Sequence, residues 1–424
     1  MTKQLTKKEI LVYADWHTLK KTELMGFLRV EQIRNKEIFS FEYSKEWLES
    51  AHSQFIDPDL QFYSGIQYLK DSKINFGLFL DSSPDRWGRV LMKRKESIEA
   101  KKEKRPIRTL NEIDYLLGVF DYSRMGALRF KDNINGKYLN YDNDFSIPPF
   151  AMLRDLEYAS LKIESEDSED RKDYSKWINL LIAPGSSLGG ARPKANISDE
   201  YNSLWIAKFP SINDESDIGA WEAISNELAK KCGIHTSQFN AMKLTAKHHT
   251  FLSKRFDRTS INKRVHFASA MTLLGLRDGS DYTTGVSYLN IAEFIIRYGS
   301  DIEKNLEELW RRIVFNICIS NTDDHLRNHG FLLSESGWEL SPVYDINPNE
   351  KGTGLILNIS ENDNSLDLNL ALEIIEHFRL NIKKGNRIIK QIKSEVSNWK
   401  EYAKKYHLPR YEMEIKEKAF NNYE

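Results

Sequence analysis

Cysteine is nearly absent: Cys232 and Cys318 are the only two among 424 residues, and both stand in apolar, helix-like stretches outside any CxxC spacing. That pattern gives neither a disulfide framework nor a cysteine zinc site, and it fits a reducing compartment. Net charge is equally scarce. Lys+Arg 61 against Asp+Glu 62 leaves a formal charge of -1, so no global field draws the chain onto nucleic acid or an anionic membrane, and any such contact has to be local. Long hydrophobic runs are missing too. No stretch approaches the roughly 20 apolar residues that span a bilayer, and the start MTKQLTKKEILVYADW holds lysines without an apolar core of signal-peptide length. A cytoplasmic protein without membrane contact is expected. Internal repeats and low-complexity tracts are also lacking, which excludes repeat architectures.

What is present is core material. Hydrophobic residues make up 40% and aromatics 12%, with 29% charged residues for a solvated surface, and a chain of this length fits two or three domains. The first part mixes short alternating runs such as ILVYADW and GFLRV with the segment from Phe76 to Lys95, where a turn containing Pro84 precedes the basic helical pattern DRWGRVLMKRK. The turn-rich KDNINGKYLNYDND and the charge run IESEDSEDRKDYSK read as surface connections. Beyond them come a glycine-rich loop at GSSLGG, a strand-like SLWIAKFP, and DESDIGAWEAISNELAKKCGI, whose early acids, late lysines and closing Gly233 describe a capped helix. FNAMKLT and TFLSKRF flank AKHH as a hairpin. Helices are expected near 267–275, 289–298, 303–319, 367–379 and 382–405. The predicted class is α+β, a protein-kinase-like two-lobed fold. Its expected parts are an N-terminal α+β accessory domain (1–145), a small β-rich lobe (146–260) and a large α-helical lobe (261–424).

That order of parts suits phosphoryl transfer, which asks for a phosphate cradle, a cation, metal ligands and a group to receive the nucleophile's proton. The cradle candidate is the run Ser186, Ser187, Leu188, Gly189, Gly190, Ala191, Arg192, Pro193, Lys194. Its paired glycines permit close backbone approach to phosphate oxygens; it is not a P-loop, because GxxxxGK[ST] is absent. Lys208 lies between apolar residues in LWIAKFP and has to find a partner. Glu222, 14 residues on in the following helix, is the candidate, with Glu227 as backup. In NTDDHLRN the spacing from Asp323 to Asn328 is the D-x-x-x-x-N of a kinase catalytic loop. Asp323 would then take or orient the substrate hydroxyl, with Asp324 as the rival carboxylate, while the Asn328 carbonyl would bind Mg²⁺. Asp345, 17 residues later in SPVYDINP, stands where a second metal ligand belongs. Each loop alone reads as an ordinary turn or cap; the ordered set reads as an ATP- and Mg²⁺-dependent kinase, with His325 the one histidine near nucleotide.

These residues resemble the HipA-type toxin kinases of bacterial toxin–antitoxin systems along most of the chain. Besides SSLGGARPKA, IAKFP, KRFDR, NTDDHLRN and PVYDINP, the resemblance is carried by the stretch from Asp81 to Arg89, D-S-S-P-D-R-W-G-R, and by DYSRMGALRF at 121–130. It implies Asp323 as the catalytic aspartate, Asn328 and Asp345 as metal ligands, and ATP contacts from Ser187, Leu188, Gly189, Gly190, Lys194, Lys208 and His325. It further implies a hinge at Arg255–Asp257, with the Phe256 backbone meeting adenine and Asp257 near the ribose. Ser187, or its neighbour Ser186, would be the autophosphorylated residue. A phosphate there brings close to two negative charges into the loop meant for ATP phosphates, so self-inactivation is expected. The resemblance also implies a helix-turn-helix antitoxin (HipB-like) as partner, DNA contact only through it, and an aminoacyl-tRNA synthetase as protein substrate. Arg192 and Pro193 stand where some members carry Gln and Glu.

Two other readings belong to different classes. Asp323, His325 and Asn328 also satisfy the D-x-H-x-x-N pattern of phosphoinositide kinases, which would make the chain a small-molecule or lipid kinase. A kinase shell could instead serve as a non-catalytic co-repressor that holds an antitoxin on DNA.

Overall fold

Ile10 to Ala14 form an unbroken apolar run, ILVYA, in which every residue is buried. Such a run suits a strand covered on both faces, and in the computed structural model it is the second half of β1 (Lys7–Ala14), which lies between two partners. The structure describes residues 7–421 apart from 34–35, 51, 53, 70–72, 142–146, 166–172 and 183–189. It divides into two units, Met1–Ala207 with Asp257–Ala268, and Lys208–Phe256 with Ser269–Glu424.

The first unit is organised by an antiparallel sheet. β2 (Glu23–Ile33) and β3 (Lys36–Tyr43) follow β1 in register, with Gly26 opposite Tyr43. A Cβ on Gly26 would meet the Glu42 carbonyl at 2.3 Å, so the close approach of these strands demands glycine. The short helix α1 (Lys45–Leu48) leads to β4 (Gln67–Tyr68), which pairs with β3. Helix α2 (Gly77–Asp81) sets Phe79 between Phe41 and Phe130, with ring centroids 5.8 and 6.2 Å away. Helices α3 (Arg86–Glu103) and α4 (Glu112–Gly118) are tied by a bidentate Arg89–Glu112 pair at 2.6 and 2.7 Å. β5 (Leu128–Lys131) closes the sheet against β1. Helices α5 (Leu153–Glu164) and α6 (Tyr174–Ile182) pack on each other and on β6 (Lys194–Ser198). The buried strand β7 (Leu204–Lys208) delivers Lys208, the first residue of the second unit.

In the second unit, α7 (Ile218–Lys231) begins where the Asp217 carboxylate accepts the Ala220 N–H and ends with Lys230 and Lys231 before Gly233 in the left-handed region. A cap of this kind contributes about 1 kcal/mol. β8 (Phe239–Met242) and β9 (Thr250–Lys254) form the expected hairpin. After β10 (Phe267–Ser269) the pattern is helical: α8 (Ala270–Leu273), α9 (Tyr288–Tyr298) and α10 (Ile302–Cys318). α10 buries Leu306, Leu309, Trp310, Ile313, Val314 and Ile317, the stripe that a 3.6-residue period dictates. The hairpin β11 (Gly330–Ser334) and β12 (Gly337–Leu340) interrupts the helices before α11 (Leu368–Glu373), α12 (Ile382–Val396), α13 (Trp399–Lys405) and α14 (Arg410–Lys416).

The C-terminal helices brace α7. Trp399 stacks on Phe420 at 4.6 Å, and both rings lie about 6 Å from Trp221. Glu412 accepts the Trp221 indole N–H at 2.8 Å and the Asp217 N–H at 2.7 Å. Truncating a fully buried tryptophan such as Trp221 costs about 3–5 kcal/mol, so this aromatic cluster is what holds the helix that carries Glu222. No helix among the described residues is long and apolar enough to cross a membrane.

Candidate active site

Every residue of β7 is buried, and its run LWIAK ends on a lysine. An ammonium group there needs counter-charge. Lys208 Nζ finds two: Glu222 Oε1 at 2.6 Å and Asp345 Oδ1 at 2.7 Å. Burial alone would lower the lysine pKa, but the carboxylates of Asp345 and Glu222 outweigh it and hold the ammonium above its ordinary value. Glu227, the backup partner, pairs instead with Lys405 at 2.7 Å. Asp345 sits in the left-handed region at φ 58°, a conformation that costs energy for a residue with a Cβ and concentrates at functional sites.

The loop after α10 separates its two aspartates. Asp324 is buried and accepts from Tyr288 Oη at 2.6 Å, Asn316 Nδ2 at 2.7 Å and His329 Nε2 at 2.8 Å. Desolvation pushes its pKa up, but the His329 charge and these bonds together hold it below the ordinary carboxylate value. Asp323 next to it is exposed. Asn328 donates its Nδ2 to the Asp323 carbonyl at 3.0 Å, which fixes the carboxamide by its nitrogen and leaves Oδ1 as the end for a cation. His325 donates its backbone N–H to the same carbonyl at 2.9 Å, and its buried Nδ1 meets no hydrogen-bond partner among the described residues.

The Asp345 loop is stitched to this one. Tyr344 Oη donates to the Arg327 carbonyl at 2.5 Å, Asn347 N–H to Asn321 Oδ1 at 3.3 Å, and Asn349 Nδ2 to Thr322 Oγ1 at 2.7 Å. Lys208, Glu222, Asp345, Asn328 and Asp323 are thereby linked through one connected set of bonds, although they come from distant parts of the chain. The Phe256 ring lies 5.5 Å from that of Tyr344, on the same loop, and Arg255 is buried beside it in sequence.

Lys194 and Asp257, both expected near nucleotide, lie in the first unit and are ion-paired there. Lys194 is 1% exposed and its Nζ is held by Asp85 Oδ2 and by the Gly190 carbonyl, both at 2.9 Å. It is a buried cation, ion-paired within the first unit. Asp257 is fully buried, its Oδ2 accepting the Gly126 N–H at 2.9 Å and Arg258 Nη1 at 2.7 Å. Gly190 is exposed. Ser186, Ser187, Leu188 and Gly189 lie outside the described residues.

The two N-terminal motifs turn out to be internal wiring. In DYSRMGALRF, Asp121 accepts from Arg129 at 2.7 Å and Arg264 at 3.1 Å, while the fully buried Arg124 donates to the carbonyls of Ser82, Leu116 and Val119. Arg258 of KRFDR donates in turn to the carbonyls of Tyr122 and Arg124. Sequence reasoning missed these contacts and the Tyr288–Asn316–His329 cradle of Asp324, because each partner is remote in the chain.

A magnesium ion suits this donor set. Asp345 supplies a carboxylate and Asn328 a neutral oxygen, both hard ligands, and Mg²⁺ is ordinarily held by one or two protein oxygens with phosphates and water completing the octahedron. No cluster of three or more His, Cys, Asp or Glu residues that could hold a metal occurs among the described residues.

The family model of the HipA-like C-terminal domain matches residues 186–400, just over half of the chain. A Haemophilus influenzae protein named "Putative kinase" is 27% identical over 194 residues, 41% of this chain and 56% of that protein. The serine/threonine-protein kinase toxin HipA of Shewanella oneidensis is 23% identical over 230 residues, 47% of this chain and 52% of the toxin. The matched stretches thus span only about half the length of these curated relatives. In three dimensions, the solved complex of Shewanella oneidensis MR-1 HipA, HipB and operator DNA contains a chain that matches with TM-score 0.62 at 16% identity, over 97% of this chain and 96% of that one. The expected kinase-like α+β class is the one found, and the chain belongs to the HipA-like family.

Proposed function

We propose that the chain is an ATP- and Mg²⁺-dependent serine/threonine protein kinase that acts as the toxin of a bacterial toxin–antitoxin system. The observation that carries this reading is the sharing of one buried ammonium, Lys208, between Glu222 and Asp345, beside a loop that exposes Asp323 and buries Asp324. Lys208 would bind the ATP phosphates, positioned by Glu222. Asp345 and Asn328 would hold Mg²⁺, whose charge, when bound, offsets that of the phosphates. Asp323 would accept the proton of a serine or threonine hydroxyl as its oxygen bonds to the γ-phosphorus and the bond to the ADP oxygen breaks. His325, whose Nδ1 has no hydrogen-bond partner among the described residues, and the backbone of Phe256 are further nucleotide contacts.

The wider role is inferred from the relatives. A HipB-like helix-turn-helix antitoxin is the proposed partner, supported by the HipA, HipB and DNA content of the matching complex, with DNA reached only through it. The proposed substrate is an aminoacyl-tRNA synthetase, and Ser187 or Ser186 the proposed site of autophosphorylation. Phosphosite mass spectrometry on a bacterial lysate treated with ATP, Mg²⁺ and the purified chain tests this directly. New phosphoserine or phosphothreonine on a synthetase, absent with Asp323→Ala, is the expected outcome. An unchanged phosphoproteome, together with normal growth on expression, would refute it.

A further inference from the structure

The second unit holds a cavity of about 460 Å³ where α7, the start of β8 and the end of α13 meet. That volume suits a small organic molecule, and none of the residues assigned above to phosphoryl transfer lines it. Its hydrogen-bonding character is one-sided. Glu227 is the one acid among the described lining residues, and it is already engaged by Lys405 Nζ at 2.7 Å and by the Tyr406 hydroxyl. Asn240 spends its Oδ1 on the Ala241 N–H at 2.9 Å, so its Nδ2 is the end left for a ligand. Ser237 adds a hydroxyl. Lys230 is exposed and makes no ion pair among the described residues. The acceptors are thus spent inside the protein, while an ammonium, a carboxamide nitrogen and a hydroxyl remain to donate.

Donors of this kind call for an anion. No arginine is among the described lining residues, so the planar fork that matches a carboxylate is missing, and single-point donors from α7 and from the β8 side suit the tetrahedral oxygens of a phosphate. The rings of Phe239 and Tyr406 supply an apolar wall. We propose that this cavity binds a small organic phosphate, its phosphate on Lys230, Asn240 and Ser237 and its apolar part against Phe239 and Tyr406. The site bears on α7 at two places. Glu227 and Lys230 belong to the C-terminal half of the helix, and the buried His249, also in the lining, places Nδ1 2.6 Å from the Asp217 carboxylate that caps the first turn. The same helix carries Glu222, the partner of Lys208. A ligand seated here braces the helix that orients Lys208 and so tightens ATP binding, and by reciprocity ATP tightens the ligand. That coupling rests on the kinase reading above; the site itself does not.

The test compares full-length wild type, Lys230→Gln and Asn240→Asp, both at exposed positions outside the active site, with thermal melting to confirm that each is folded. Asn240→Asp keeps an oxygen for the Ala241 N–H and replaces the donor with an acid. Phenyl phosphate, inorganic phosphate and benzyl alcohol are titrated by calorimetry. Phenyl phosphate should bind wild type with a Kd below about 1 mM and either variant about tenfold more weakly. Inorganic phosphate and benzyl alcohol, each lacking one half of the ligand, should bind wild type at least about tenfold more weakly than phenyl phosphate. In steady-state assays with Mg²⁺, phenyl phosphate should lower the ATP KM of wild type about fivefold and leave that of Lys230→Gln unchanged. No binding by wild type, binding that both folded variants retain, or inorganic phosphate binding as tightly as the ester overturns the site and leaves the kinase reading intact. Bound ester with an unchanged ATP KM overturns the coupling. ATP turnover absent from a wild type that still binds phenyl phosphate through Lys230 overturns the kinase reading and leaves the site standing.

Discussion

The Lys208 ammonium stands 2.6 Å from Glu222 and 2.7 Å from Asp345, one cation between two carboxylates. Removing it takes their shared ammonium from two neighbouring acids. Lys208→Met should therefore destabilise the fold by about 3 kcal/mol and reduce ATP turnover by at least about a hundredfold. Glu222→Gln should be milder in both respects, since Asp345 still anchors the lysine. Urea titrations and steady-state kinetics on the two variants check this ranking, and a Lys208→Met protein as stable as wild type would contradict it.

The two neighbouring aspartates should separate cleanly by assay. Asp323 is exposed, so Asp323→Ala should change stability by no more than about 0.5 kcal/mol while abolishing phosphate transfer. Asp324 accepts three hydrogen bonds in the interior. Asp324→Asn should cost roughly 3 kcal/mol. Because the folded pKa of Asp324 is depressed, its contribution is present above the ordinary carboxylate pKa and fades as pH falls through the lower folded value. Melting curves from neutral to strongly acid pH on wild type and Asp324→Asn should accordingly converge at the acid end.

His266 provides a separate pH signature in the first unit. It is buried, stacked on Trp16 with centroids 5.0 Å apart, and burial pushes its pKa down to about 3. In the unfolded chain it titrates near about 6.5. As pH falls between these values the unfolded chain takes up the proton first, so stability drops across that window. His266→Phe keeps a stacking ring but cannot titrate, and should show a shallower loss of stability from about pH 6.5 to about pH 4 in urea melts. Equal slopes would show that the imidazole does not contribute.

The cysteines should be silent in the native state. Burial pushes the Cys232 thiol up to about 12 and raises that of Cys318 as well, and both are buried and free of disulfides. A chromogenic thiol reagent at about pH 8 should label neither until denaturant is added, after which both react. Rapid labelling of the folded protein would argue against the packing around α7 and α10.

Much of this arrangement was legible in the sequence wherever a signal was local. The early acids, the late lysines and Gly233 mark α7; the apolar period marks α10; a lysine alone in an apolar strand announces the need for Glu222; and the Asp323–Asn328 spacing marks its loop. What failed to show was long-range. Lys194 and Lys208 both sit at the edge of short apolar strands, and the partner of the first, Asp85, stands 109 residues earlier. Nothing local to Asp257 announces the Gly126 N–H, 131 residues away, that it accepts. Asp323 and Asp324 are adjacent and chemically identical. Tyr288, Asn316 and His329 gather around the second and leave the first exposed.

The central claim, that Asp345 and Asn328 hold the metal while Asp323 serves the chemistry, is tested most directly by calorimetric titration of ATP with and without Mg²⁺. The same samples are then assayed for transfer of labelled γ-phosphate to protein. Wild type should bind ATP tightly only with Mg²⁺, Asp345→Asn should lose that metal-dependent gain, and Asp323→Ala should bind like wild type yet transfer nothing. Metal-independent binding in the wild type, or undiminished transfer by Asp323→Ala, would contradict the account.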